Sequence, residues 1–152
     1  MPEDVRLKKL AGNLLIMAQS GQYNYQRCVS RNESGAAQLA ICEFVRAAQN
    51  VIFLLNKRYI PYYKWSFCAM RGLDNLSELE VPLEHLISSP NTPAEIEKKL
   101  ESVDLVCSKI VYEIRAQELT GFFGAELEGH AYSVNNKIKD PQVRNLHVLY
   151  AV

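Results

Sequence analysis

The chain has no glycine-rich phosphate loop, no alternating run long enough to make a convincing strand, no internal repeat and no low-complexity linker. These absences exclude P-loop chemistry and argue against a β-rich fold or a repeat array. Cys28, Cys42, Cys68 and Cys107 are too widely spaced for a zinc framework, and three of them fall in apolar helical patterns as small hydrophobes. His85, His130 and His147 are isolated from one another. Glu126, Glu128 and His130 share one helix turn and read as an ordinary exposed face. No serine or cysteine has an activating base beside it in sequence. No signal peptide and no membrane-length apolar run is read, which predicts a reducing cytoplasm and no membrane partner.

Acidic residues are missing from Val5 to Arg31 and again from Phe44 to Gly72. Residues 1–73 carry ten Lys/Arg against four Asp/Glu, a balance of +6, and residues 74–152 carry seven against thirteen, a balance of −6. The asymmetry predicts either an anion-facing surface or two halves that attract each other. With neither a basic tail nor a dense cationic stripe, duplex DNA is a poor fit and nucleic acid is not expected as a partner.

What the chain does hold is apolar periodicity. With 152 residues and 48% hydrophobic content, one domain with a genuine core is expected over 1–152. Leu7, Leu10, Leu14, Met17 and Gly21 form one stripe, predicting a helix over Pro2–Ser20 with room to continue past Gly21. Ala37, Ile41, Phe44, Ala48, Val51 and Leu55 recur at steps of four and three, so a central helix should run from a Ser34 N-cap to Ile60, before Pro61. A third helical segment spans Tyr62–Arg71. The stretch 73–93 reads as a connector with at most a short helix at Leu83–Ile87. Thr92, Pro93 and Glu95 form a capping-box pattern, and Ile96, Leu100, Val103, Cys107, Ile110 and Ile114 carry the next helix to about Leu119. Leu127, Ala131, Val134 and Ile138 make the last long stripe, with a short segment opened by Asp140-Pro141. The expected fold is all-α: an up-and-down bundle of four long helices with short additional ones. Residues 143–152 read as a terminal helix or extended tail, with alternation of Leu146, Val148 and Tyr150 as the competing strand pattern.

Two clusters carry binding chemistry. Leu54–Trp65 gathers Asn56, Lys57, Arg58, Tyr59, Tyr62, Tyr63, Lys64 and Trp65 around Pro61. Arg58 offers a rigid donor fork for phosphate or carboxylate, Lys64 a mobile charge, and the rings a stacking face. The competing expectation makes Tyr59 and Trp65 core rings, with the cations snorkelling to solvent. The second cluster, Gln19–Arg31, places Tyr23, Arg27 and Arg31 at steps of four, with Gly21 permitting close approach of a helix or ligand. Convergence of the two clusters requires the chain to fold back along the bundle.

The runs Met17–Cys28, Phe53–Trp65 and Gly129–Arg144 resemble the helical C-terminal domain of an uncharacterised family of bacterial nucleotidyltransferase-like proteins. The resemblance extends distantly to the substrate-binding half of aminoglycoside nucleotidyltransferases and to HEPN-type domains. It implies a non-catalytic substrate-binding domain holding an anionic or polar small molecule through Tyr23, Arg27, Arg31, Asn56, Arg58, Tyr59, Tyr63 and Lys64. No catalytic residue, metal ligand or cofactor is assigned to this chain. Mg²⁺ and a nucleoside triphosphate would belong to a nucleotidyltransferase core, in cis or trans, because the Gly-Ser turn and paired acids of such cores do not occur within the chain. The alternative role is an interaction module that docks onto that core or forms a homodimer. A HEPN nuclease pattern needs four to six residues between its arginine and histidine, and Arg144-Asn-Leu-His147 has two.

Overall fold

A computed structural model describes residues 1–152 as an all-α bundle without a strand. The first helix is α1 (Glu3–Met17), which passes through a π-helical segment (Ala18–Asn24) into α2 (Tyr25–Ser30). The helix therefore does continue past Gly21. Glycine suits that position because a Cβ there would lie 2.2 Å from Cδ2 of Phe44, and its absence lets the widened turn close on the ring. The central helix is α3 (Ser34–Leu55), with Glu33 at the N-cap rather than Ser34. It packs against α1, α2 and the later helices α5 and α6.

α3 ends at the last residue of its apolar stripe, five residues before the Ile60 limit that Pro61 suggests. The Arg58 N–H reaches back to the Phe53 carbonyl (3.0 Å) and the Lys57 N–H to Leu54 (3.1 Å), with Lys57 left-handed at φ 55°. This is a Schellman-type stop built on lysine where glycine is usual, so the sequence carries no glycine to announce it. At 22 residues and mean hydropathy 1.3, α3 is long and apolar enough to cross a membrane, contrary to the expectation that no run reaches that length. Yet 67% of that window is buried inside the bundle, as befits a core helix contacted on several sides.

After the bend come α4 (Tyr63–Met70), a 3₁₀ turn (Ser77–Leu79) and α5 (Glu80–Ser88), which is longer than the expected Leu83–Ile87. α6 (Pro93–Ala116) starts at Thr92 with Pro93 at N1, but the capping box does not form. Glu95 turns instead to His85 (3.3 Å) and Lys98 (3.2 Å). α7 (Leu127–Asn136), the shortest of the four principal helices, packs on α1. Asp140 caps the single turn α8 (Pro141–Arg144) by accepting from the Gln142 N–H. The chain closes in a 3₁₀ turn (Val148–Ala151), neither strand nor α-helix, laid over α1 at Gly12, where a Cβ would meet the Val148 carbonyl at 2.8 Å.

One apolar cluster runs from Leu7 to Val148, and every buried side-chain nitrogen and oxygen has a partner. Two of those partners are structural cations. Arg6 donates to the Leu54 carbonyl (2.9 Å), fixing the start of α1 beside the end of α3. The Lys8 ammonium donates to Asn135 Oδ1 and to the carbonyls of Arg144 and Leu146, which ties the C-terminal segment to α1 and α7.

Candidate binding surface

The bend after α3 is anchored from below. Asn56 donates through Nδ2 to the carbonyls of Ile52 (2.8 Å) and Asn75 (2.9 Å) and accepts at Oδ1 from the Asn75 N–H (3.0 Å). Its amide is thus engaged in clamping the bend to the loop before α5. That makes Asn56 a support of the surface, although the sequence marks it as a contact residue. Pro61 lies just ahead of α4, with Tyr62 at its N-cap, so it shapes the entry to a new helix rather than kinking the old one.

Ser66 and Met70 turn α4 inward: Ser66 Oγ lies 3.2 Å from Gln49 Oε1, and Gln49 Nε2 lies 3.6 Å from Met70 Sδ. This orientation leaves the rings outside. Tyr59, Tyr62, Tyr63 and Trp65 are 70%, 63%, 73% and 58% exposed, so the core-ring expectation for Tyr59 and Trp65 fails. Tyr62 and Tyr63 have ring centroids 4.4 Å apart, tilted by 45°, and Lys64 Nζ lies 5.3 Å from the Trp65 ring. A side-chain hydrogen bond with Tyr63 raises the Tyr62 phenol above its ordinary range. Arg58 and Tyr59 also border a cleft of about 140 Å³ whose lining includes Lys9, Asn13 and Asn50. Lys9 donates to the Ala151 carbonyl there (3.0 Å).

The second cluster lies at the other end of the hairpin. Arg27 donates to the Tyr23 hydroxyl and sits 4.9 Å from that ring's centroid, while Arg31 caps the end of α2. The turn after α2 leads straight into α3, so the length of α3, about 33 Å at 1.5 Å per residue, separates the ends. Folding back through α4 reaches only the level of Gln49. Tyr23, Arg27 and Arg31 therefore do not share a pocket with Arg58, Tyr59, Tyr63 and Lys64.

The charge asymmetry is not neutralised within the molecule. Of four close ion pairs, only Arg71–Glu80 (2.8 Å) joins the basic half to the acidic half. No group of three or more His, Cys, Asp or Glu side chains is placed to hold a metal ion. Arg144 Nη1 donates to the Ile138 carbonyl (3.2 Å) and His147 Nδ1 accepts from the Leu149 N–H (3.2 Å), so both are used in local backbone ties.

One feature escaped the sequence reading: the loop between α6 and α7. His130, fully buried, contacts Thr120 Oγ1 (2.9 Å) and the Gly124 carbonyl (2.7 Å), and Arg115 donates to the carbonyls of Phe123 and Gly124. Burial lowers the His130 pKa. Phe122 folds edge-on against His130 (5.1 Å, 88°), over glycines 124 and 129, where a Cβ would strike its ring at 2.6 and 2.4 Å. Phe123 is left 94% exposed. The pair of rings between Gly121 and Gly124 was the available signal.

Comparison with known families finds one match: the family described as Domain of unknown function (DUF4037) aligns with residues 1–66. The matched segment takes in α1 through α3 and both basic–aromatic clusters to just past Trp65. Comparisons with curated proteins and with solved structures yield no match.

Proposed function

We propose that this domain is a non-catalytic binding module of a nucleotidyltransferase-like protein, and that its working surface is the bend from Arg58 to Trp65. The observation that carries the reading is the joint exposure of four rings beside Arg58 and Lys64, next to the cleft that holds Lys9. Exposed rings held in fixed contact offer area at little entropic cost, and unpaired cations beside them favour a polar, anionic guest. Chemistry on that guest would be supplied by a nucleotidyltransferase core with Mg²⁺ and a nucleoside triphosphate, as the resemblance implies. Isothermal titration with nucleoside phosphates and small polar anions tests the role. The Arg58→Ala/Lys64→Ala double variant should bind about tenfold more weakly, the equivalent of about 1.4 kcal/mol. Equal binding by the variant and the parent chain overturns it.

A second reading is favoured by Phe123. A nearly fully exposed phenylalanine on a loop braced by His130 and Arg115 is a preorganised anchor for a protein partner, either the catalytic core or a second copy. Sedimentation of the chain alone and mixed with such a core, with Phe123→Ser as comparison, tests this docking role. Identical behaviour of parent and variant in both settings removes it.

A further inference from the structure

The bend raises a question of occupancy that its chemistry narrows. Lys57, Arg58 and Lys64 are exposed together with Tyr59, Tyr62, Tyr63 and Trp65 within nine residues. A purely acidic peptide would satisfy the cations and leave four ring faces in water. A purely apolar groove would cover the rings and strip water from three unpaired cations, which is costly. A chain that repeats a planar base and a phosphate answers both needs at once. The number of rings matters as well. A planar base has two faces, so one base can stack on at most two of the four exposed rings. A lone nucleotide therefore leaves at least two of them unused. In a duplex the bases are stacked on one another, and their faces are closed to side-chain rings.

We propose that residues 57–65 form a platform for single-stranded nucleic acid, with the rings stacking on successive bases and Lys57, Arg58 and Lys64 following the phosphates. The proposal rests on the bend being the working surface of the domain, and it names the class of ligand that surface takes. It departs from the sequence-based expectation that nucleic acid is not a partner. Cation density alone does not register the exposure of Tyr59 and Trp65. The platform is preorganised: the Asn56–Asn75 clamp holds its base, the Schellman stop fixes its entry, and Tyr62–Tyr63 and Lys64–Trp65 contacts hold three of the four rings.

The molecule carries its own reporter, since Trp65 is the one tryptophan in the chain. The experiment titrates the full chain with an oligothymidylate of about 12 nucleotides, within the usual site sizes for such surfaces, and follows Trp65 fluorescence. Thymidine monophosphate and polyglutamate serve as parallel probes. Saturable quenching by the oligonucleotide is expected, and three phosphate contacts set a log–log salt slope of about −2. Affinity should then fall by roughly 20-fold between 50 and 200 mM salt. Tyr63→Ala, which removes an exposed ring, should weaken binding about tenfold or more. Arg58→Ala/Lys64→Ala should flatten the salt slope by about 1.4. If thymidine monophosphate binds as tightly as the oligonucleotide, the polynucleotide proposal is overturned while the small-anion reading of the bend stands. If polyglutamate binds as tightly and Tyr63→Ala changes nothing, the surface reads charge for a protein partner and the proposal fails. No response to the oligonucleotide, the mononucleotide or a panel of polar anions overturns both the proposal and the reading beneath it.

Discussion

Replacing Gly21 by alanine probes the contact that sets the course of α2. The new Cβ would sit 2.2 Å from Cδ2, 2.6 Å from Cε2 and 3.0 Å from Cγ of Phe44. Phe44 is fully buried, so its ring has no open space to swing into. Overpacking of this kind costs about 1–3 kcal/mol, and contact with three ring atoms argues for the upper end. Alanine recovers about 1 kcal/mol of helix propensity over glycine. The net loss is about 2 kcal/mol, which for a domain of this size lowers Tm by about 4–8 °C. Gly35→Ala is the control, because nothing lies within 4 Å of its Cβ in the first turn of α3. That variant should hold or gain up to about 1 kcal/mol. Gly21→Ala combined with Phe44→Leu should recover at least about 1 kcal/mol relative to the sum of the single changes. Thermal and urea unfolding of the parent, the three single variants and the double variant measures all three quantities. A Gly21→Ala protein as stable as the parent, with no coupling to position 44, would refute the claim that the closeness of the Phe44 ring requires glycine at position 21.

Thiol reactivity should follow burial. Desolvation pushes the Cys107 thiol up to about 12, so at pH 8 only about one molecule in ten thousand carries its thiolate. Cys68 is exposed and should be alkylated first by iodoacetamide, whereas Cys107 should react only as fast as the bundle opens. Mass spectrometry that finds the two modified at one rate under native conditions would contradict the packing of α6. Acid sensitivity should trace to His130, whose pKa burial depresses below the usual 6.5. Above about pH 6.5 neither folded nor unfolded chain protonates this ring. As pH falls below that value the unfolded chain takes up the proton first, so stability declines toward the lower folded-state pKa. The urea midpoint of the parent should drop between pH 7.5 and 5.5, while His130→Gln should stay nearly level; an equally steep drop in the variant sinks this assignment.

Apolar spacing by itself determined the helices. Steps of three and four identified α1, α3, α6 and α7, Pro93 and Asp140 marked two helix starts, and Gly21 stood where a helix had to come close. These signals are local: a 3.6-residue period and the chemistry of a helix end act through the chain's own neighbours. The tertiary structure decided the rest. It ended α3 at Leu55 by placing Lys57 in a left-handed conformation, stabilised by the Asn56–Asn75 clamp from a loop 19 residues away. It drew Glu95 out of its capping box toward His85 and Lys98. Exposure followed the same rule. Periodicity reports which residues share a helical face but not whether another element covers it. Thus Trp65, indistinguishable in sequence from a core ring, lies in water because Ser66 and Met70 turn the other face of α4 to Gln49, while Tyr59 stands exposed on the bend ahead of that helix. The separation of Tyr23, Arg27 and Arg31 from Arg58 and Lys64 has the same origin: helix α3 is a rigid spacer, and only the packing of α2 and α4 against it fixes which residues stand at which end.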